Sequence, residues 1–223
     1  MNVCPTGAIQ LSGDPENPDV SLDRGLCVTC GACIAGCPTQ TIVADPSTKS
    51  AVIHREELVL YSKPTETKPI AALDGVKALG PFRRSVDVRV VSTGCNATDL
   101  EVAATANAIF DCSRFGIHFV ASPRFADVLL VTGPVGRAMQ KPLVSCFEAM
   151  ADPRVVIAVG TCAISGGVHR GGYADANGVM PHLEVHAFVP GCPPHPWSIV
   201  HGILIATRSK ATNANHSPQH GRG

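Results

Sequence analysis

Several features are scarce in this 223-residue chain, and each scarcity closes off a class of function. Charged residues make up only 16% and the formal net charge is zero, so no bulk field draws the protein to nucleic acid or to anionic lipid. Aromatic residues are 4%, too few for a base-stacking surface. No apolar run approaches the roughly 18 residues that a membrane span requires. The N-terminus has neither the basic start nor the apolar stretch of a secretory signal. These absences predict a cytoplasmic protein with no membrane span of its own and no nucleic-acid partner.

Cysteine is abundant instead. Ten cysteines in a chain without an export signal favour metal or cluster ligation over a disulfide framework. Cys27-Val-Thr-Cys30-Gly-Ala-Cys33-Ile-Ala-Gly-Cys37-Pro38 is C-x2-C-x2-C-x3-C-P, the spacing of bacterial-type [4Fe–4S] ferredoxins. Zinc is the plainer alternative, but zinc sites usually set a C-x2-C pair against a distant second pair. Cys4-Pro5-Thr6-Gly7-Ala8-Ile9 reads as the tail of a preceding motif of the same kind. By the crossing rule of such motifs, Cys4 joins Cys27, Cys30 and Cys33 on one cluster, and Cys37 serves another. Only three residues precede Cys4. Either this is a one-cluster segment with Cys37 idle, or the true start lies upstream of Met1.

Residues 1–60 are short segments punctuated by Gly and Pro, a small α+β ferredoxin-like domain on this reading. Residues 61–84 carry three Xaa-Pro breaks and little periodicity, as a linker would. From residue 85 to 208 the texture is different. Asp127–Gly133 and Arg154–Gly160 are continuous apolar runs suited to parallel strands buried on both faces, and Val86–Val91 and His182–Val189 read as further strands. Asp99–Phe110, Arg137–Met150 and Trp197–Arg208 lie between or after them as helices. The alternation predicts an α/β domain with a mostly parallel sheet. Residues 209–223 are polar and short-sided, and disorder is expected there.

Cys95, Cys162 and Cys192 each fall just past the carboxyl end of a predicted strand, the edge where open α/β sheets bind ligands. Three distant cysteines therefore converge by topology. The plainer reading is three free cysteines packed as small hydrophobes. Cys146 lies within a predicted helix and reads as core, and a predicted helix of about 12 residues keeps Cys112 away from the Cys95 loop. The histidines show no metal spacing beyond chance, His216-x3-His220 included. Ser165–Gly172 is glycine-rich but lacks the lysine of a phosphate-binding loop.

The segments Gly94-Cys95-Asn96, Asp99-Leu100-Glu101, Arg114-Phe115-Gly116-Ile117, Ala121-Ser122-Pro123-Arg124, Thr132-Gly133-Pro134-Val135, Gly160-Thr161-Cys162-Ala163, Gly166-Gly167 and Pro190-Gly191-Cys192-Pro193-Pro194 together resemble a known family. It comprises the small subunit of group 4 energy-converting [NiFe] hydrogenases and the homologous 20 kDa-type subunit of complex I. Asn96 and Thr132–Val135 resemble the hydrogenase side. The resemblance implies a flavodoxin-like fold holding a second cluster through Cys95, Cys162 and Cys192, docked on a large catalytic subunit and, through partners, on membrane subunits. It also implies that Glu101 lies near the cluster and that Arg114 and Arg124 lie near the partner surface; a helix-start acid and solvated arginines are the plainer readings. One departure stands out: the hydrogenase-type loop reads Cys-Asn-Gly-Cys-Asp, whereas here it is Cys95-Asn96-Ala97-Thr98-Asp99. The second site then holds a [3Fe–4S] cluster, or a [4Fe–4S] cluster with Asp99, Thr98 or water on the fourth iron, or nothing. The expected function is electron relay within an oxidoreductase complex, the chain carrying no catalytic residue of its own. The alternative is a scaffold or assembly subunit with a degenerate second site.

Overall fold

The computed structural model describes residues 3–14, 17–62 and 85–214, the side chains of 14, 17 and 208–214 excepted. Nearly all of the expected linker, and the tail beyond residue 214, lie outside the described residues. Near the N-terminus, β1 (Ile9–Asp14) and β2 (Asn17–Asp23) form an antiparallel hairpin, and β3 (Val59–Tyr61) pairs with β2. The motif cysteines sit between β2 and β3, around the single-turn helix α1 (Ala32–Ala35).

The larger part is a five-stranded, wholly parallel sheet. Its strands are β4 (Val86–Ser92), β5 (Ile117–Phe119), β6 (Val128–Thr132), β7 (Val155–Val159) and β8 (Ala187–Val189), in the order β5-β4-β6-β7-β8. Numbered within the sheet this is 2-1-3-4-5, the flavodoxin-like order, with its switch point between β4 and β6. Every residue of β6 and β7 is buried, which is why these strands read as unbroken apolar runs. Helices α2 (Asn96–Ala104), α3 (Arg137–Glu148), α4 (Thr161–Ser165) and α5 (Pro196–Ala214) complete it. Two apolar cores result. Val88, Leu130, Ile157 and Val189 meet Ile199 and Ile203 of α5 in one, and Leu129, Val131, Val156 and Ala158 meet Leu143 of α3 in the other.

Several sequence boundaries shift. The strand expected over His182–Val189 is only Ala187–Val189, and the helix expected over Asp99–Phe110 begins at Asn96 and stops at Ala104. The closing helix continues through 209–214, where disorder was expected. Residue 60 is not a clean boundary either. Val52 forms an antiparallel bridge with Phe188 of β8, the two residues exchanging N–H···O bonds of 3.0 and 2.8 Å. Ala51, Val52 and Leu58 are fully packed into the α/β cores. The end of the ferredoxin-like part is thus an integral piece of the larger fold.

Candidate iron–sulfur sites

The N-terminal site is organised by tight turns. Ala8 N–H donates to Cys4 Sγ at 3.2 Å, and the Thr6 hydroxyl lies 3.7 Å from the same sulfur. Burial works against ionisation of Cys4, but these hydrogen bonds outweigh it and leave the thiol below its ordinary pKa. Cys27 is pushed up, first by burial and then by the charges of Cys33, Cys4 and Cys30. Those four thiols therefore share one neighbourhood. Cys37 is differently placed: it is buried, with the Thr39 and Thr41 hydroxyls at 3.4 and 3.6 Å. These hydroxyls stabilise the thiolate and lower its pKa to about 6.

The second site lies along the carboxyl edge of the parallel sheet. Cys95 caps the start of α2, three residues beyond β4. Cys162 follows β7 in the first turn of α4, and Cys192 follows β8. Burial pushes the Cys162 thiol up to about 11, with Cys192 and then Cys95 adding to it. Cys192 is raised by burial, then by Cys95 and by Cys27. Cys95 and Cys192 thus act on Cys162, and Cys95 and Cys27 on Cys192, so the charges of the sheet-edge thiols are felt by one another and by one thiol of the N-terminal site.

A hydroxyl network fixes this edge. Thr93 Oγ1 donates to Thr132 O at 2.6 Å and accepts from Val135 N–H at 2.9 Å. Ser92 and Thr132 donate to the two carboxylate oxygens of Asp99 at 2.6 and 2.5 Å. Gly133 has φ of 84°, and a Cβ there would stand 2.8 Å from Gly94 N, so only glycine lets this loop pass the Cys95 turn. Thr98 is 2% exposed, and its Oγ1 accepts a hydrogen bond from Cys95 Sγ at 3.2 Å.

Three further hydroxyls, for which the sequence holds no clear motif, join the two sites. Thr161 Oγ1 donates to Cys27 O at 2.7 Å, Thr29 Oγ1 to Cys192 O at 3.1 Å, and Ser165 Oγ to Gly25 O at 2.7 Å. Thr161 and Ser165 flank Cys162 in sequence, the one signal that could have drawn attention to them. Cys112 is 2% exposed, its thiol directed at Ile117 O at 3.7 Å, away from both sites; Cys146 packs against the second core. Glu101 is half-buried on α2 and Arg124 is exposed. Arg114 stacks over the Phe115 and Trp197 rings at 4.8 and 5.2 Å.

Residues 95–206, half of the chain, match the family described as NADH ubiquinone oxidoreductase, 20 Kd subunit. The chain belongs to that family. The match begins at Cys95 and contains all three sheet-edge cysteines of this 20 kDa-type subunit. Residues 1–50 match the 4Fe-4S dicluster domain, which supports at least one [4Fe–4S] cluster. The chain is 40% identical over 129 residues to formate hydrogenlyase subunit 7 of Escherichia coli, an alignment covering 57% of this chain and 51% of that protein. It thus spans about half the length of that relative. It is 39% identical over 134 residues to a subunit of the NADH-quinone oxidoreductase of Geotalea daltonii, covering 60% of this chain and 76% of that one. Among solved structures it resembles a chain of the membrane-bound sulfane sulfur reductase, an archaeal respiratory membrane complex. The TM-score is 0.54 and the identity 29%, over 59% of this chain and 73% of that one. The relatives are subunits of oxidoreductase complexes. Among the described residues, no helix is long and apolar enough to cross a membrane.

Proposed function

We propose that this subunit relays electrons between a [4Fe–4S] cluster held by Cys4, Cys27, Cys30 and Cys33 and a second iron–sulfur cluster held by Cys95, Cys162 and Cys192. The donor set suits such groups, since thiolates are the normal ligands of iron–sulfur clusters. All ten cysteines are free, so no disulfide competes for these thiols. The clusters supply the redox chemistry; the chain supplies position, burial and hydrogen bonds. Electrons pass onward to a large hydrogenase-like or complex I-like subunit, the assembly lying on the cytoplasmic face of a membrane through its other subunits. On this reading residues 1–60 are the ferredoxin-like module and 85–208 the subunit proper.

One observation carries the proposal: the two cysteine sets are in direct structural contact. Thr161, beside Cys162, is bonded to the backbone of Cys27, and Thr29, between Cys27 and Cys30, to the backbone of Cys192. A scaffold with a degenerate second site has no need of that juxtaposition. The test is iron and sulfide analysis with redox-titrated electron paramagnetic resonance on the anaerobically prepared protein. Cys30→Ala and Cys162→Ala are each expected to remove a different cluster signal, the former with a loss of about four irons. Cys30→Ala is also expected to stop reduction of the second site by a ferredoxin-type donor. Unchanged iron in either variant, or undiminished electron delivery in Cys30→Ala, refutes the relay.

A further inference from the structure

A sulfur that holds a cluster is also a hydrogen-bond acceptor, and the donors around it help to set the cluster's potential. Among the described residues, Cys95 is the one sheet-edge thiol with a hydroxyl partner. Thr98 lies in the first turn of α2, and its Oγ1 stands 3.2 Å from Cys95 Sγ. At that distance the two atoms are too close to serve different irons of one cluster. The hydroxyl is therefore placed to act on the sulfur and not as a further ligand beside it.

Thr98 has little freedom to turn away. A Cβ on Gly160 would stand 3.0 Å from its Oγ1 and 3.6 Å from its Cγ2. The side chain is thus held between the Cys95 turn and the turn that begins α4 and carries Cys162. At 2% exposure it also keeps bulk water from that spot. While the thiol is protonated, Cys95 Sγ donates to Thr98 Oγ1. Iron binds the thiolate, which has no proton to give. Once a cluster is bound, the direction reverses: the hydroxyl is the donor and the sulfur the acceptor.

We propose that the Thr98 hydroxyl donates a hydrogen bond to the Cys95 thiolate of the bound second cluster and raises that cluster's reduction potential. The inference rests on the relay reading above only for the presence of a cluster ligated by Cys95. Thr98 acts through the sulfur and is a positioning residue. Reduction adds one electron, supplied by the N-terminal cluster or, in the test, by dithionite, and part of that charge falls on the sulfurs. A hydrogen bond to a more negative acceptor is stronger, and low-dielectric surroundings enlarge the difference. The bond therefore favours the reduced cluster. The proton stays on Oγ1 in both states, so no proton transfer accompanies the electron. The effect has the same sign whether three or four irons are bound.

The experiment titrates the anaerobically reconstituted full chain with dithionite in the presence of redox mediators. Each cluster is followed by electron paramagnetic resonance, and iron content is measured in parallel. Thr98→Val removes the donor and keeps the branched shape. It is expected to retain its iron and to shift the reduction equilibrium of the second cluster about tenfold toward the oxidised form, a fall of about 59 mV in midpoint. Thr98→Ala, a second variant without the hydroxyl, is expected to shift in the same direction. Thr98→Ser, which keeps the donor, is expected to restore most of the wild-type midpoint, and the N-terminal cluster to stay near its own value throughout. Equal second-site midpoints in wild type and Thr98→Val overturn the proposal. An equal shift in Thr98→Val and Thr98→Ser also overturns it, because the cause is then packing. So does loss of second-site iron from Thr98→Val, since a hydrogen-bond donor is dispensable for binding the cluster. Failure of the underlying reading shows separately: Cys162→Ala then leaves total iron unchanged.

Discussion

Removing the Thr161 hydroxyl tests the join between the two cysteine sets directly. Thr161→Val keeps the shape of the side chain and deletes one donor, whose acceptors are Cys27 O at 2.7 Å and, more distantly, Gly191 O at 3.3 Å. A net hydrogen bond contributes about 1 kcal/mol, and leaving a buried carbonyl unpaired costs about 1–3 kcal/mol. Thr161 is 1% exposed, so water does not readily replace the donor. The Thr29 and Ser165 bonds and the Val52–Phe188 bridge still hold the two parts together. The effect is therefore a local loosening of about 1–2 kcal/mol, equivalent to roughly 5–30-fold in an opening equilibrium. Hydrogen exchange read by mass spectrometry on the segment from Gly25 to Cys33 should accelerate by that factor in Thr161→Val. Thr161→Ser, which retains the donor, should restore protection. Wild-type exchange in Thr161→Val would show that the join does not depend on this bond.

Cys112→Ala should leave iron content and both cluster signals unchanged while lowering the unfolding temperature, because its sulfur fills a core site and touches neither cysteine set; loss of iron would contradict the placement. Cys37 should label with iodoacetamide with a midpoint near pH 6, followed by peptide mass spectrometry, and the midpoint should rise when Thr39 and Thr41 become Val. Because the folded value lies below the ordinary thiol pKa of about 8.5, the associated stability is complete above that value and is lost as pH falls through about 6. His201 has its pKa lowered by burial and then by Lys49, so the folded state resists its protonation and stability falls as pH drops below the usual histidine range. His201→Leu should flatten the pH dependence of unfolding between pH 7 and pH 5, and an unchanged slope would assign it to other groups.

The parallel sheet was legible because β6 and β7 are apolar on both faces and each ends at a glycine. The convergence of Cys95, Cys162 and Cys192 followed from that topology alone. Strand β5 was not legible: it has three residues at a sheet edge, two of them exposed, and leaves no run to detect. Residues 182–186 lie outside β8 because a continuous polar-and-apolar stretch carries no mark of where pairing begins. The contacts of Ala51 and Val52 with the second part were hidden for a related reason. A bridge to an edge strand more than a hundred residues away depends on the path of the chain, and short motifs do not encode it. The same holds for Thr29, Thr161 and Ser165, since any hydroxyl beside a cysteine looks alike until its acceptor is known.

The direct seating of one cysteine loop on the other has an electrostatic consequence. Cys27 figures among the charges that raise Cys192, and burial is the largest contribution to both thiols and to Cys162. In such partly desolvated surroundings an added charge is screened less than at an open surface. On the proposed reading, each electron placed on the N-terminal cluster therefore makes the second cluster harder to reduce, and the reverse holds equally by linkage. The hydroxyls that hold the loops together also fix the separation over which this repulsion acts. A shared electron is thus disfavoured at double occupancy and passes singly along the edge of the sheet. The same burial disfavours ionisation of Cys27, Cys162 and Cys192, so that cluster assembly on them releases protons and becomes more favourable as pH rises.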